Sequence, residues 1–128
     1  MINPKARPIP RILIVDDEFI IANSLSLQVE EMGFEVCGMA ATAQEAIALA
    51  TAQRPDVVLM DVRLKGAEDG VDAAIAIHRI IGAKVIFITG SREPATMARI
   101  QEDHPSGVLF KPIYGQQLRT AVETALAG

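Results

Sequence analysis

Asp16-Asp17-Glu18, Asp61, Thr89 and Lys111 each follow directly on a short apolar run. The runs are Ile12-Leu13-Ile14-Val15, Val57-Val58-Leu59-Met60, Val85-Ile86-Phe87-Ile88 and Val108-Leu109-Phe110. If the ends of these runs meet, several carboxylates, a hydroxyl and an ammonium share one mouth. Carboxylates held that close repel one another, and a hard divalent cation relieves the repulsion; oxygen ligands suit Mg²⁺. A carboxylate is also a nucleophile toward phosphorus and forms an acyl phosphate. The phosphoryl oxygens then need donors, which Mg²⁺, the Lys111 ammonium, the Thr89 hydroxyl and backbone N–H groups can supply.

The runs are continuous in polarity rather than alternating, as in strands covered on both faces by helices. Glu35 to Ala40 reads as a more polar, edge strand. Helical stripes fall between the runs: Ile21, Leu25, Val29 and Met32; Ala43, Ile47 and Ala50; Ala74, Ile77, His78 and Ile81; and Leu118, Ala121, Val122, Ala125 and Leu126. Pro94 to Asp103 is the weakest helical pattern, with Met97, Ala98 and Ile100 as its apolar anchors. The order is (βα)₅, which predicts an α/β, doubly wound, five-stranded parallel sheet with right-handed crossovers. Ligands of such sheets bind at the carboxyl ends of the strands, where the residues named above fall. Met1 to Pro10, with three prolines, reads as an extended arm preceding a domain over 11–128.

The chain has 128 residues, enough for one domain with a real core, and half are apolar. With one Tyr, four Phe and no Trp, the core must be aliphatic. A net charge of -4 without clustered Lys and Arg argues against direct nucleic-acid binding. The apolar runs are too short to span a membrane, and no signal peptide opens the chain. Cys37 has no internal partner, so a cytosolic setting is the default.

Alone, each residue has a plainer reading. The acids of Asp16-Asp17-Glu18 favour a helix N-terminus, Thr89-Gly90 suits a turn, and Lys111-Pro112 ends a strand. Asp61 alone is harder to dismiss, because an acid closing a buried run is costly without a partner. His78 reads as packing or surface, Cys37 as a small core or edge residue, and Gly33 as the residue that ends the first helix.

The set Ile14-Val15-Asp16-Asp17-Glu18, Leu59-Met60-Asp61-Val62-Arg63-Leu64, Asp69-Gly70, Ile88-Thr89-Gly90 and Phe110-Lys111-Pro112 resembles the receiver domain of two-component response regulators. The resemblance covers about Arg11 to Leu126. It implies the flavodoxin-like strand order 2-1-3-4-5 and Asp61 as phosphoacceptor. It also implies a Mg²⁺ site of Asp16, Asp17, Asp61 and the Arg63 backbone carbonyl, with Asp17 a direct ligand and Asp16 acting partly through water. Lys111 and Thr89 would engage the phosphoryl group, and the Lys111-Pro112 peptide would be cis. The implied donor is a histidine kinase or histidine phosphotransfer protein. Output would pass to a protein partner through the face of helix four, strand five and helix five, from a monomer or weak dimer. The resemblance thus implies a phosphorylatable switch rather than an enzyme.

The sequence departs from the family pattern in places. Lys65 stands where many receivers have Pro, and the loop from Leu64 to Gly70 is one residue longer than usual. Val108 replaces the usual aromatic before the strand-five lysine, with Phe110 on the same strand face as a substitute. Phe87-Ile88-Thr89-Gly90 partly resembles a subgroup with an irregular fourth helix. Arg63 and Ser91 flank the site.

The resemblance leaves open a stand-alone regulator, a phosphate shuttle or sink in a phosphorelay, and the receiver fragment of a larger regulator. An aspartyl phosphatase would place a second Asp two residues after its nucleophile, where Arg63 stands. A flavin-binding protein would need a phosphate-cradling loop where Asp16-Asp17-Glu18 would repel the phosphate.

Overall fold

A computed structural model describes residues 9–128. The proposed arm lies, up to residue 8, outside the described residues; Pro10 already leads into the sheet, its carbonyl accepting from the Glu35 N–H at 3.0 Å.

Five strands alternate with five helices: β1 (Arg11–Val15), α1 (Phe19–Glu31), β2 (Glu35–Ala40), α2 (Ala43–Gln53), β3 (Val57–Asp61), α3 (Gly70–Ile81), β4 (Lys84–Thr89), α4 (Pro94–Glu102), β5 (Gly107–Phe110) and α5 (Gly115–Ala127). All strands are parallel, in the order β2-β1-β3-β4-β5. The expected α/β architecture and strand order are therefore present, with Asp61 and Thr89 as the last residues of β3 and β4 rather than the first beyond them.

Strand alternation divides the core in two. Leu13, Val15, Val58, Met60, Val85 and Phe87 face α2, α3 and α4. Ile12, Ile14, Val57, Leu59, Ile86 and Ile88 face α1 and α5. Because both faces of β1, β3 and β4 are buried, neither face could be polar, which is why these strands read as unbroken apolar runs. At the edge, β2 pairs with a register shift: Ile12 faces Val36 and Leu13 faces Gly38, so Cys37 is the extra residue of a bulge. Gly33, at φ +90, follows the end of α1 as expected.

α4 is the most lightly held helix. Ile100 is its only buried residue, with Met97 packed partly against the same core. Its other ties are polar. Arg99 pairs with Asp69 and with Asp72, the latter at 3.2 Å, and Asp103 just beyond α4 meets His78 at 3.1 Å. His78 is thus an exposed α3 residue that helps hold the end of α4.

Candidate functional site

The loop after β1 begins with Asp16, which is buried. Its Oδ1 accepts from the Glu18 backbone N–H at 2.8 Å, which turns the chain into α1. The three acids do stand at the N-terminus of α1, with Glu18 as its N-cap residue, but no acid caps the helix through its side chain. Instead one oxygen from each of the three carboxylates lies within 4.8 Å of the others.

Asp61 ends β3, the strand adjacent to β1, and is 5% exposed. Lys111, following β5, reaches back with Nζ 3.4 Å from Asp61 Oδ2 and 3.5 Å from Asp16 Oδ2. The Lys111-Pro112 peptide is cis, as expected. Burial, then the charge of Asp16, pushes the Asp61 carboxyl up to about 6; the charge and hydrogen bond of Lys111 oppose this and do not cancel it. Burial alone would lower the Lys111 ammonium, but the charges of Asp61 and Asp16 outweigh it and leave its pKa raised.

One cation therefore serves two buried carboxylates. Asp16 Oδ2 is buried and makes no well-formed hydrogen bond among the described residues; its one polar contact is the long 3.5 Å ion pair with Lys111, which it shares with Asp61. A buried carboxylate oxygen with only a shared, long ion pair is costly, and a hard cation is the group that would satisfy it without competing for protons. The donor set is all oxygen, which fits Mg²⁺ and not a softer metal.

Thr89 closes β4 and is buried, its hydroxyl accepting from the Ser91 N–H at 3.0 Å. The Thr89-Gly90 turn and the candidate site are thus one structure. Asp17, Asp61, Arg63, Thr89 and Lys111 line one open crevice of about 680 Å³ at the carboxyl ends of the strands. Every site residue named from the sequence lines it except Asp16, which lies buried beneath Lys111.

Asp69-Gly70 has a positioning role. Asp69 and Asp72 form a capping box at the start of α3, with both bonds at 3.0 Å. The Gly70 N–H donates to the Val62 carbonyl at 2.7 Å, so α3 begins directly against the chain that carries Asp61. Burial alone would raise Asp69; the hydrogen bonds from Arg99 and from the Asp72 N–H outweigh it and hold the carboxyl below its usual range. That bond therefore weakens as pH falls through the carboxylate range. Arg99→Ala is expected to cost less than about 1 kcal/mol, because the pair is solvent-exposed. It should nonetheless speed amide exchange in α4 several-fold while leaving β1 and β3 unchanged. Uniform exchange across the fold would show that Arg99 does not hold α4.

Sequence reasoning missed two arginines. Arg92 lines the crevice and stacks on Phe110, and Arg99 ties α4 to the cap of α3. Both lie in or near the weakest helical pattern, where no periodicity marks which side chains turn inward.

A model of the response regulator receiver domain matches residues 12–123. The chain belongs to the receiver domain family of response regulators. It is 35% identical over 119 residues to the transcriptional regulatory protein PdtaR of Mycobacterium tuberculosis, covering 91% of this chain and 57% of that protein. To the phyllosphere-induced regulator PhyR of Methylorubrum extorquens it is 32% identical over 116 residues, covering 90% and 43%. The receiver thus spans about half the length of these relatives. Among solved structures it resembles the signal receiver domain of a modulated diguanylate cyclase from Desulfovibrio desulfuricans, with TM-score 0.89, 35% identity and 94% and 95% of the two chains covered. A CheY-like receiver domain protein from Methanospirillum hungatei gives TM-score 0.87 at 27% identity, covering 94% and 95%. No helix of the described residues is long and apolar enough to cross a membrane.

Proposed function

We propose that this receiver is switched by phosphorylation of Asp61, with Mg²⁺ held by Asp16, Asp17, Asp61 and the Arg63 backbone carbonyl. The observation that carries the reading is that, among the described residues, one ammonium, Lys111, is shared at 3.4–3.5 Å by two buried carboxylates, and that the Asp16 oxygen it faces has no hydrogen bond besides. Glu18 supplies a further nearby oxygen.

One Asp61 oxygen attacks the phosphorus of a phosphohistidine; the P–N bond breaks as the acyl P–O bond forms, and the imidazole leaves with a proton from solvent. Bound Mg²⁺ neutralises charge on the phosphoryl oxygens and on the acids around them. Lys111 provides an ammonium to the transferred group once Asp61 has given up its charge. Thr89 exchanges its Ser91 backbone bond for a phosphoryl oxygen, which pulls on the loop leading to α4. The light packing of α4 makes it the element that answers.

The donor is a histidine kinase or a histidine phosphotransfer protein. Phe19 and Ile20 stand exposed at 70% and 82% beside the acidic cluster and offer such a partner an apolar foothold. Output passes to a downstream protein through α4, β5 and α5, and a cytoplasmic monomer or weak dimer fits this role.

The test is labelling with acetyl phosphate or a phosphorylated kinase, with and without Mg²⁺. Labelling should require both Mg²⁺ and Asp61. Lys111→Ala should slow it at least about tenfold, while Mg²⁺ affinity falls little or rises, because a competing cation has been removed. Equal loss of Mg²⁺ binding and of labelling in Lys111→Ala would mean that the lysine only holds the acids in place.

A further inference from the structure

Arg92 lies in the loop between β4 and α4, three residues after Thr89. Its guanidinium carbon is 3.8 Å from the centroid of the Phe110 ring. No carboxylate lies within ion-pair distance of it among the described residues. The same side chain lines the crevice that holds Asp61, Thr89 and Lys111. A permanent cation is thus held over an aromatic face at the edge of the site, with its hydrogen-bonding fork uncommitted to any carboxylate.

Phe110 is placed to register a change there. It pairs in register with Thr89 on the neighbouring strand and directly precedes Lys111. It belongs to β5, an edge strand whose four residues are all only half-buried. The loop carrying Arg92 leads into α4, whose single buried residue leaves it little restrained.

A guanidinium on a half-buried ring at the surface is held weakly, whereas a guanidinium facing phosphoryl oxygens makes paired, charge-assisted hydrogen bonds. We propose that Arg92 reads the phosphorylated state: it leaves the Phe110 ring for the phosphoryl oxygens on Asp61, and so uncovers Phe110 on β5. This rests on Asp61 being the phosphoacceptor. The exchange makes and breaks no covalent bond. It converts a charge arriving in the crevice into an apolar surface on the sheet edge.

The test uses beryllofluoride with Mg²⁺ as the phosphoryl mimic, on the wild-type chain, R92A, R92K and D61N. Binding and the Phe110 ring resonances are followed by NMR. Arg92 is exposed, so its variants should keep the wild-type fold, checked by circular dichroism. R92A is expected to bind beryllofluoride about tenfold more weakly without weaker Mg²⁺ binding, and R92K to fall between, since lysine keeps the charge and loses the fork. The Phe110 ring of unliganded R92A should resemble that of wild type with beryllofluoride. If wild type and R92A bind the mimic equally and the Phe110 resonances do not move, the role of Arg92 is overturned while that of Asp61 stands. If wild type fails to bind the mimic, or D61N binds it as well as wild type, the underlying reading of Asp61 fails, and this inference with it.

Discussion

Asp61→Asn will lose all Mg²⁺-dependent phosphoryl labelling and, without Mg²⁺, will be more stable than the wild type at neutral pH. The two effects share a cause. Asp61 is nearly inaccessible and lies beside a second buried carboxylate, with one ammonium between them. Its pKa rises from 3.8 to about 6. A raised carboxyl pKa means the fold favours the protonated form. Below pH 3.8 both folded and unfolded chains hold the proton, and the site is not penalised. As pH rises toward 6 the unfolded chain ionises first and stability falls; above about 6 both are ionised and the full penalty stands. Allowing for screening at an open mouth, that penalty is on the order of 1–2 kcal/mol.

Asparagine keeps the shape of the side chain and removes the charge, so urea denaturation at pH 7 should show the gain, shrinking toward pH 4. Mg²⁺ should stabilise the wild type and narrow the difference, because it binds the folded acids. A variant less stable than wild type at pH 7, or one that still takes up phosphate in full, would contradict this account. On the proposed reading, a bound cation would offset this penalty: phosphoryl transfer would require ionised Asp61, and the fold resists it.

The second large effect is expected at Gly70. A Cβ there would sit 1.9 Å from the carbonyl oxygen of Asp61 and 2.9 Å from its carbonyl carbon. Both are backbone atoms, so no rotamer change can make room. The requirement is one of space, since Gly70 is not among the glycines with positive φ. Gly70→Ala must push α3 off the end of β3, stretching the 2.7 Å bond from the Gly70 N–H to the Val62 carbonyl. A loss of about 3 kcal/mol is expected. Mg²⁺ affinity should fall with it, because the chain displaced is the one that carries Asp61. Gly90→Ala is the control: nothing lies within 4 Å of its added Cβ and its φ is not positive, so it should change stability by less than about 0.5 kcal/mol. Gly70→Ala within the same margin would show that α3 can shift freely, and that Asp69-Gly70 does not position Asp61.

Much of the fold and site could be read in the chain alone. β1, β3 and β4 are buried on both faces, so their apolar character survives in sequence as unbroken runs, and each run ends at a residue the crevice needs. α4 was the faintest helix in sequence and is the least buried in the structure, for the same reason: a helix that buries only Ile100 needs no apolar stripe. Asp69-Gly70 was visible as a motif, while the crowding that demands a glycine was not, because it depends on where α3 lands on β3.

The sequence by itself determined the layered βα architecture and the residue types at the strand ends, because burial and backbone periodicity are local and leave a local record. Only the tertiary structure decided that Lys111 stands between Asp16 and Asp61, that the buried Asp16 oxygen has no other polar contact, and that Arg92 rests on Phe110. Those facts are distances between residues up to 95 positions apart in the chain. Electrostatic coupling depends on such distances and on burial, and neither is written in the spacing of residues along a chain.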